Sequence, residues 1–472
     1  MTGPESAIAP PDAVRGRSGQ QPLPSWRWEA LRTTFWLVPT VFVLAAVLLF
    51  LATFEIDWAV FHGHLSLPFW IVTGSAEAGR EVLIGIAAAI ITVVGVVFSV
   101  TIVALTLASQ QFGPRMMRNF VRDVGNQVTL GVFVSTFVYS ILTLVAITTT
   151  SRGTFVPHLS ITVTEALVLV DLAVLIYFIH HIAKSIQLPE VIAGIARDLG
   201  RAIDAEFPEI AADERHEPQG SGESFLELVD RIDEQGAPVA ANVSGYLQFV
   251  GYAQLVDIAA RTDSVIRLEH RPGHFIVAGR PLAMVWPSEA AGRVAIALTK
   301  AHVTGPHRTL MQDPVFAIDQ LVEIAIRALS PAVNDTFTAL TCIDWIAAGL
   351  SRLSRRTLAE GVYRDREGRI RLIESNPSYA RLVNRAFDKI RQSSSGMPAV
   401  IIRLIDALST IGGETYSTDQ RRVLFRQAEA ILRSAEESVS EPNDRDEIRA
   451  HYRRFIRKIA TSDPSFSPVL DS

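Results

Sequence analysis

VLIGIAAAIITVVGVVFSVTIVALTLA, Val82–Ala108, runs without one ionisable side chain. An α-helix rises about 1.5 Å per residue, so roughly 20 apolar residues cross a hydrocarbon core about 30 Å thick. This stretch exceeds that length and reads as a transmembrane helix with room to tilt. Thr34–Phe54 and Gln127–Thr148 on either side also lack Asp, Glu, Lys, Arg and His. Ser160–Ile182 qualifies by length but carries Glu165, Asp171, His180 and His181. Pro39 falls near the start of the first span, where a missing N–H does little harm. Four spans are therefore expected.

Their flanks give a direction. Arg15, Arg17, Arg27 and Arg32 precede the first span, Arg115, Arg118 and Arg122 lie between the second and third, and Lys184, Arg197 and Arg201 follow the fourth. Glu55–Glu81 holds one arginine among acids, and Thr149–Leu159 holds only Arg152. Basic residues gather on the cytoplasmic side, so both termini are expected inside the plasma or inner membrane. In the first outer loop, Trp58, Phe61, Phe69 and Trp70 suit an interfacial aromatic belt, with a short amphipathic stretch lying on the outer face.

Composition sets further limits. Of 472 residues 49% are hydrophobic, an average over an apolar 34–182 and a mixed 183–472. The formal net charge of -5 gives no basic footprint for nucleic acid. Cys342 is alone, which excludes an internal disulfide and a cysteine-based zinc site. No Walker loop, H-E-x-x-H, G-x-S-x-G or kinase-type set occurs, so no enzymatic activity and no cofactor are expected.

Thr92, Gly95, Ser99, Ile102, Thr106, Ser109 and Gly113 recur at steps of three and four, one face of the second span. Thr129, Thr136, Ser140 and Thr143 do the same on the third. Two readings compete: close helix packing through small residues and hydroxyls, which is favoured, and a hydroxyl-lined aqueous path through an oligomer. Asp171 falls near the centre of the fourth span, where a carboxylate costs about 2.5–3.5 kcal/mol on insertion scales. No lysine or arginine within a span can pair with it. It must carry a proton, accept from a stripe hydroxyl, or face water. His180 and His181 point about 100° apart and cannot chelate one metal together; a boundary role, toward headgroups or Gln187, is expected.

Three blocks carry a resemblance: FSVTIVALTLASQQFGPRMMRNFVRD (Phe98–Asp123), YFIHHIAKSIQ (Tyr177–Gln187) and RTLMQDPVFAIDQLVEIAIRALSPAVND (Arg308–Asp335). They are similar to DUF2254, a family of predicted bacterial membrane proteins without an assigned function, over most of residues 30–350. The resemblance implies the membrane part and the cytoplasmic domain, and brings no reaction or catalytic residue. It also implies a proline after Asn334-Asp335, where Thr336 stands here.

The fold class expected is thus a four-helix multi-pass membrane domain followed by a cytoplasmic α+β domain with a small β-barrel-like unit and a helical C-terminal part. The divisions are a disordered tail 1–30, the membrane domain 31–184, a helical linker with a flexible loop (ERHEPQGSGES) 185–240, a β-rich unit 241–300, a helical segment 301–350 and a hairpin with helices 351–472. VSGYLQFV, SVIRLEH, HFIVAGR and PLAMVWP read as short strands with a helix near Tyr252–Ala260. PGHFIVAGRPLAMV has the rhythm of a barrel-sandwich (lipoyl-like) domain, but no lysine lies between Lys184 and Lys300 to carry a group. Asp313-Pro314 reads as a helix start. Asp319, Glu323 and Arg327 then share a face as an i,i+4 ladder, a reading favoured over metal ligation. Together with Asn334 and Asp335 they form the candidate cytoplasmic contact or gate. VYRDREGRIRLI reads as a hairpin turning at Glu367-Gly368, followed by three or four amphipathic helices between Pro377 and Ala460.

The leading expectation is a homo-oligomeric ion channel or transport-related protein in the lipid bilayer. Spans two and three line its axis (Thr92, Ser99, Thr106, Ser109, Thr136, Ser140, Thr143), and the cytoplasmic domain gates it. The alternative is a membrane-anchored scaffold or sensor whose cytoplasmic domain binds protein partners.

Overall fold

The computed structural model describes residues 36–462, apart from 67, 69–70, 72–73, 113–122, 151–152, 186, 208–222, 357, 359–360 and 376. The N-terminal tail, Phe69, Trp70, Gly113, Arg115, Arg118, Arg122 and most of the 214–224 loop lie outside the described residues. The chain divides at residues 191/192 into two compact units.

In the first unit, four helices are long and apolar enough to cross a membrane: α1 (Leu37–Phe61), α2 (Ala76–Phe112), α3 (Val124–Ala146) and α4 (His158–Ser185). A short antiparallel ribbon, β1 (Thr148–Thr150) with β2 (Gly153–Phe155), joins the last two. Helix α1 runs to Phe61 and takes in Glu55–Phe61, expected as part of an outer loop lying on the membrane face. Half of the α3 span is buried, against 17–22% for the others, so α3 is the central helix. Gly131 allows the approach of α1: a Cβ there would lie 3.0 Å from the Phe42 ring.

The second unit follows from α5 (Leu188–Glu206) through α6 (Glu223–Gln235) to a mixed sheet region. Its strands are β3 (Ala237–Ala240), β4 (Gly245–Val250), β5 (Val265–Leu268), β6 (Phe275–Ile276), β7 (Pro281–Trp286) and β8 (His302–Gly305). Helices α7 (Tyr252–Thr262) and α8 (Ala291–Ala301) interrupt them. The later hairpin, β9 (Val362–Arg364) and β10 (Ile370–Glu374), joins the larger sheet, whose order is β3-β7-β5-β10-β9. There β10 runs parallel to β5, with Leu372 opposite Ile266. A second sheet has the order β6-β4-β8.

The barrel-like unit is not what forms: neither sheet closes. The strands of 241–300 divide between two sheets, and one of these is completed by both strands of the 362–374 hairpin. Alternation of side chains explains the burial. Ile266, Leu268, Ala283, Val285 and Leu372 face a core shared with Leu255 of α7 and Val294 and Leu298 of α8. Val265, Ile373, Met284 and Trp286 face the other way, against Ile232 of α6. Continuous apolar runs such as PLAMVW therefore mark strands covered on both faces. Sequence reading missed β3, β8 and α8.

Six helices complete the unit: α9 (Pro314–Ala328), α10 (Thr336–Ser354), α11 (Tyr379–Ser393), α12 (Pro398–Gly412), α13 (Thr418–Ser438) and α14 (Pro442–Ser462). Asp313 starts α9 as expected, accepting from the Phe316 N–H. Cys342 is buried on α10, and burial pushes its thiol up to about 12, so it is not a reactive group.

Candidate functional site

Helices in lipid commonly meet through small and aliphatic side chains. Here α3 turns polar groups into the bundle. Asn126, Gln127, Thr129, Thr136, Ser140 and Thr143 are buried, as are Thr53 and Asp57 on α1 and Ser160, Thr164 and Asp171 on α4.

At one end, Asp57 serves the N-terminus of α4. Its Oδ1 accepts from the Leu159 N–H (2.9 Å), and its Oδ2 from the Ser160 N–H (2.9 Å) and hydroxyl (2.7 Å). The first N–H groups of a helix lack internal partners and favour an anion. Pro157, just before α4, has no side-chain acceptor to offer them, so α1 supplies one. Ser160 Oγ also lies 3.1 Å from Thr53 Oγ1, which is 2.8 Å from the Tyr139 hydroxyl. Thus three helices meet through one buried network.

Asp171 lies midway. It is 4% exposed, its Oδ1 accepts from Thr136 Oγ1 at 3.0 Å, and its Oδ2 has no partner among the described residues. The expected hydroxyl partner of this carboxylate is therefore Thr136. That hydroxyl also lies 3.1 Å from the Val132 carbonyl, so one proton serves two acceptors.

At the other end, Asp123 caps α3 through the Gly125 N–H (2.8 Å), and its second oxygen lies 2.7 Å from His181 Nε2. A Cβ at Gly125 would sit 2.6 Å from that nitrogen. Tyr177 stacks on the His181 ring at 5.4 Å. The partner of His181 is thus Asp123 rather than Gln187, while His180 is exposed.

On α4, Asp171 is about 15 Å from each terminal network at 1.5 Å per residue. Hydroxyls of α3 occupy the intervals. Asn126 Oδ1, Gln127 Oε1 and Nε2, and Asp171 Oδ2 are buried without a partner among the described residues. In native proteins such atoms are generally met by ordered water or an ion. The bundle interior thus carries a carboxylate and two carboxamides whose buried polar atoms are left open among the described residues.

The α2 stripe behaves differently. Leu83, Ala87, Ile90, Val97 and Ala104 form its buried face, while Thr92, Ser99 and Thr106 are exposed. Each hydroxyl of the three bonds back to the carbonyl four residues earlier, at 2.8, 2.8 and 2.9 Å, as Thr129 and Thr143 also do on α3, so what distinguishes the α2 stripe is its exposure. The side chain of Ser109 lies outside the described residues. Within one chain, then, the α2 and α3 stripes do not face a common path. The α2 stripe is not a packing face of its own bundle either. Helical spacing identified both stripes but carries no information on which way each turns.

In the second unit, the expected contact cluster separates. Asp319 leaves the helical ladder: its Oδ2 pairs with Arg308 Nη1 (2.6 Å) and accepts from Arg385 Nη2 of α11 (2.9 Å). Glu323 and Arg327 follow it on α9. Beyond the end of α9, Asn334 takes a left-handed conformation (φ 50°) and Asp335 caps α10, accepting from the Thr338 N–H (3.1 Å) and hydroxyl (2.6 Å). Asn334 and Asp335 shape a turn.

A group that sequence reading missed surrounds Arg308. Asp313 accepts from its Nε at 2.8 Å and pairs with its Nη2 at 2.7 Å. Gly273 seats the loop 269–274 against that carboxylate: its φ is +91°, and a Cβ would lie 2.1 Å from Asp313 Oδ2. The loop brings His270, Arg271 and His274, with the two imidazoles edge to face at 6.0 Å. Burial, then Arg271, His270, Arg381 and Arg308, hold His274 down at about 4. The unfolded chain therefore takes up a proton near 6.5 that the folded chain refuses until about 4. Stability should fall as pH drops from about 6.5 toward 4, and His274→Gln should flatten that part of a pH–melting curve.

Over residues 32–410 the chain matches the family described as "Predicted membrane protein (DUF2254)". Curated relatives include uncharacterised proteins of Mycobacterium bovis and Mycobacterium tuberculosis. Each is 33% identical over 380 residues, covering 79% of this chain and 71% of the relative. No solved structure matches the chain.

Proposed function

We propose, from the premise that this chain belongs to the DUF2254 family of predicted membrane proteins, that its four-helix unit passes protons or small cations along the polar interior of each bundle. The observation that supports this reading is Asp171, a buried mid-span carboxylate with one oxygen on Thr136 and the other without a partner among the described residues. A carboxylate is retained at such depth against an insertion cost, and intramembrane ionisable residues commonly mark ion pathways. In the proposal Asp171 is the exchanging site, with Asp57 and the Asp123–His181 pair as the stations at either end. This moves the pathway from an oligomer axis lined by spans two and three to the inside of each copy.

The unit 192–472 is assigned to the cytoplasm, where it gates or assembles the membrane part, and both termini to the same side, on the arginine distribution of the flanks. A reporter fused after Ser472 should be active inside intact cells and silent outside; the reverse would overturn the orientation. Homo-oligomerisation belongs to the proposal too, supported by the small exposed residues Gly95 and Ser99 on α2. No catalysis is part of it.

The test is flux into liposomes holding purified protein and a pH-sensitive dye, under an imposed pH gradient and under voltage with sodium or potassium. Uptake faster than in protein-free liposomes is expected. No flux under any of these drives would remove the reading.

A further inference from the structure

Around Arg308 the carboxylates are engaged with other groups, and two arginines are left without an ion pair among the described residues. Asp313 is engaged with Arg308 and with the start of α9. Asp319 is shared between Arg308 and Arg385. Glu374, at the end of β10, accepts from the Tyr252 hydroxyl at 2.7 Å and from the Tyr363 hydroxyl at 3.3 Å. Two guanidinium groups remain. Arg271, partly buried on the loop 269–274, and Arg381, exposed on α11, have no side-chain hydrogen bond or ion pair among the described residues.

Both are poorly placed for stability alone. Arg381 lies in the first turn of α11, where the helix dipole is positive and a cation is disfavoured. Arg271 gives up part of its hydration without a counter-ion and feels the like charges of Arg381 and Arg308, although Asp313 and Glu374 offset part of this. Cations held together in this way are a usual means of recognising phosphate, because a guanidinium offers paired donors to its oxygens. Natural proteins depart from local stability rules mainly at functional sites.

We propose that the loop 269–274 and the first turn of α11 bind a phosphate-bearing anion, with Arg271 and Arg381 as its direct ligands and His274 beside them. The ligand is a phosphate monoester or diphosphate, either free in solution or carried by a lipid headgroup. Arg308 and Arg385, occupied by Asp313 and Asp319, position the loop and the helix. This site stands apart from the proposed ion path: either could fail without the other.

The experiment uses the full chain in phosphatidylcholine nanodiscs. Its thermal midpoint is measured with inorganic phosphate or pyrophosphate against chloride and acetate at matched ionic strength, and separately in nanodiscs containing phosphatidic acid. A rise with phosphate or pyrophosphate supports a free ligand; a rise confined to phosphatidic acid supports a headgroup. In either case Arg271→Gln and Arg381→Gln should each raise the ligand concentration needed for a given shift about tenfold or more, the loss of one charge-assisted contact. Without ligand the two variants should melt at or above the parent, since each removes an unpaired charge. The proposal is overturned by equal responses to acetate, by no response in either arm, or by a response that survives in the double variant. It is overturned equally if ligand-free Arg271→Gln melts below the parent, because the arginine would then hold the fold itself.

Discussion

Liposomes carrying Asp171→Asn should take up protons or cations about tenfold more slowly than those carrying the parent chain, or not at all. The substitution keeps the shape of the side chain and an oxygen that accepts from Thr136, so the contact between α3 and α4 survives. It removes the one group in the middle of α4 that can hold an exchangeable proton or a negative charge. A tenfold slowing corresponds to about 1.4 kcal/mol on the barrier, a modest requirement for the loss of a carboxylate at mid-membrane. Asp171→Glu should restore part of the rate. The thermal midpoint of the asparagine variant provides the control: it should stay near the parent value. Parent-like flux in a folded Asp171→Asn protein would leave the carboxylate as a helix-packing group and remove the proposed path.

Asp57→Ala should have the largest effect on folding. Three hydrogen bonds end on this carboxylate, two from the backbone at the start of α4 and one from Ser160. Loss of a helix cap costs about 0.5–2 kcal/mol, and a buried donor left without an acceptor adds about 1–3 kcal/mol. A decrease of about 3 kcal/mol is expected, read from unfolding in mixed detergent. Asp57→Asn, which accepts through a single oxygen, should fall between. An alanine variant as stable as the parent would mean that water replaces all three bonds, placing Asp57 at the surface of the bundle.

How far the chain could be read without coordinates depended on what each signal encodes. Apolar length located four helices, with ends within a few residues except at the end of α1 and at the start of α2, which begins at Ala76 rather than Val82. The extension of α1 from Phe54 to Phe61 passes Glu55 and Asp57, two acids that resemble the start of a loop. Asp57 is also a site residue that sequence reading lost, as it lost Asp123, since nothing local reveals that Pro157, a hundred positions later, leaves a helix start without a side-chain cap. Asp171 stood out because a lone carboxylate inside an apolar run is conspicuous anywhere. The direction of the stripes on α2 and α3 was out of reach, because periodicity defines a face without saying what meets it. The same limit explains Asp319: i,i+4 spacing offered Glu323 and Arg327, whereas tertiary structure brought Arg308 and Arg385. Arg271 and His274 lie in a loop whose spacing has no regular period, and only the seating of Gly273 against Asp313 gathers them.

The parallel pairing of β10 with β5 has a practical bearing on how the second unit can be made. Residues 269–369 separate the two strands, so during synthesis β5 must wait, with one edge open, until the ribosome has passed Glu374. Open strand edges recruit other chains, and late long-range pairing prolongs that exposure. Expression fragments should therefore stop no earlier than the end of the β9–β10 hairpin. A piece ending near residue 350, although it would retain most of the strands, should emerge as aggregate.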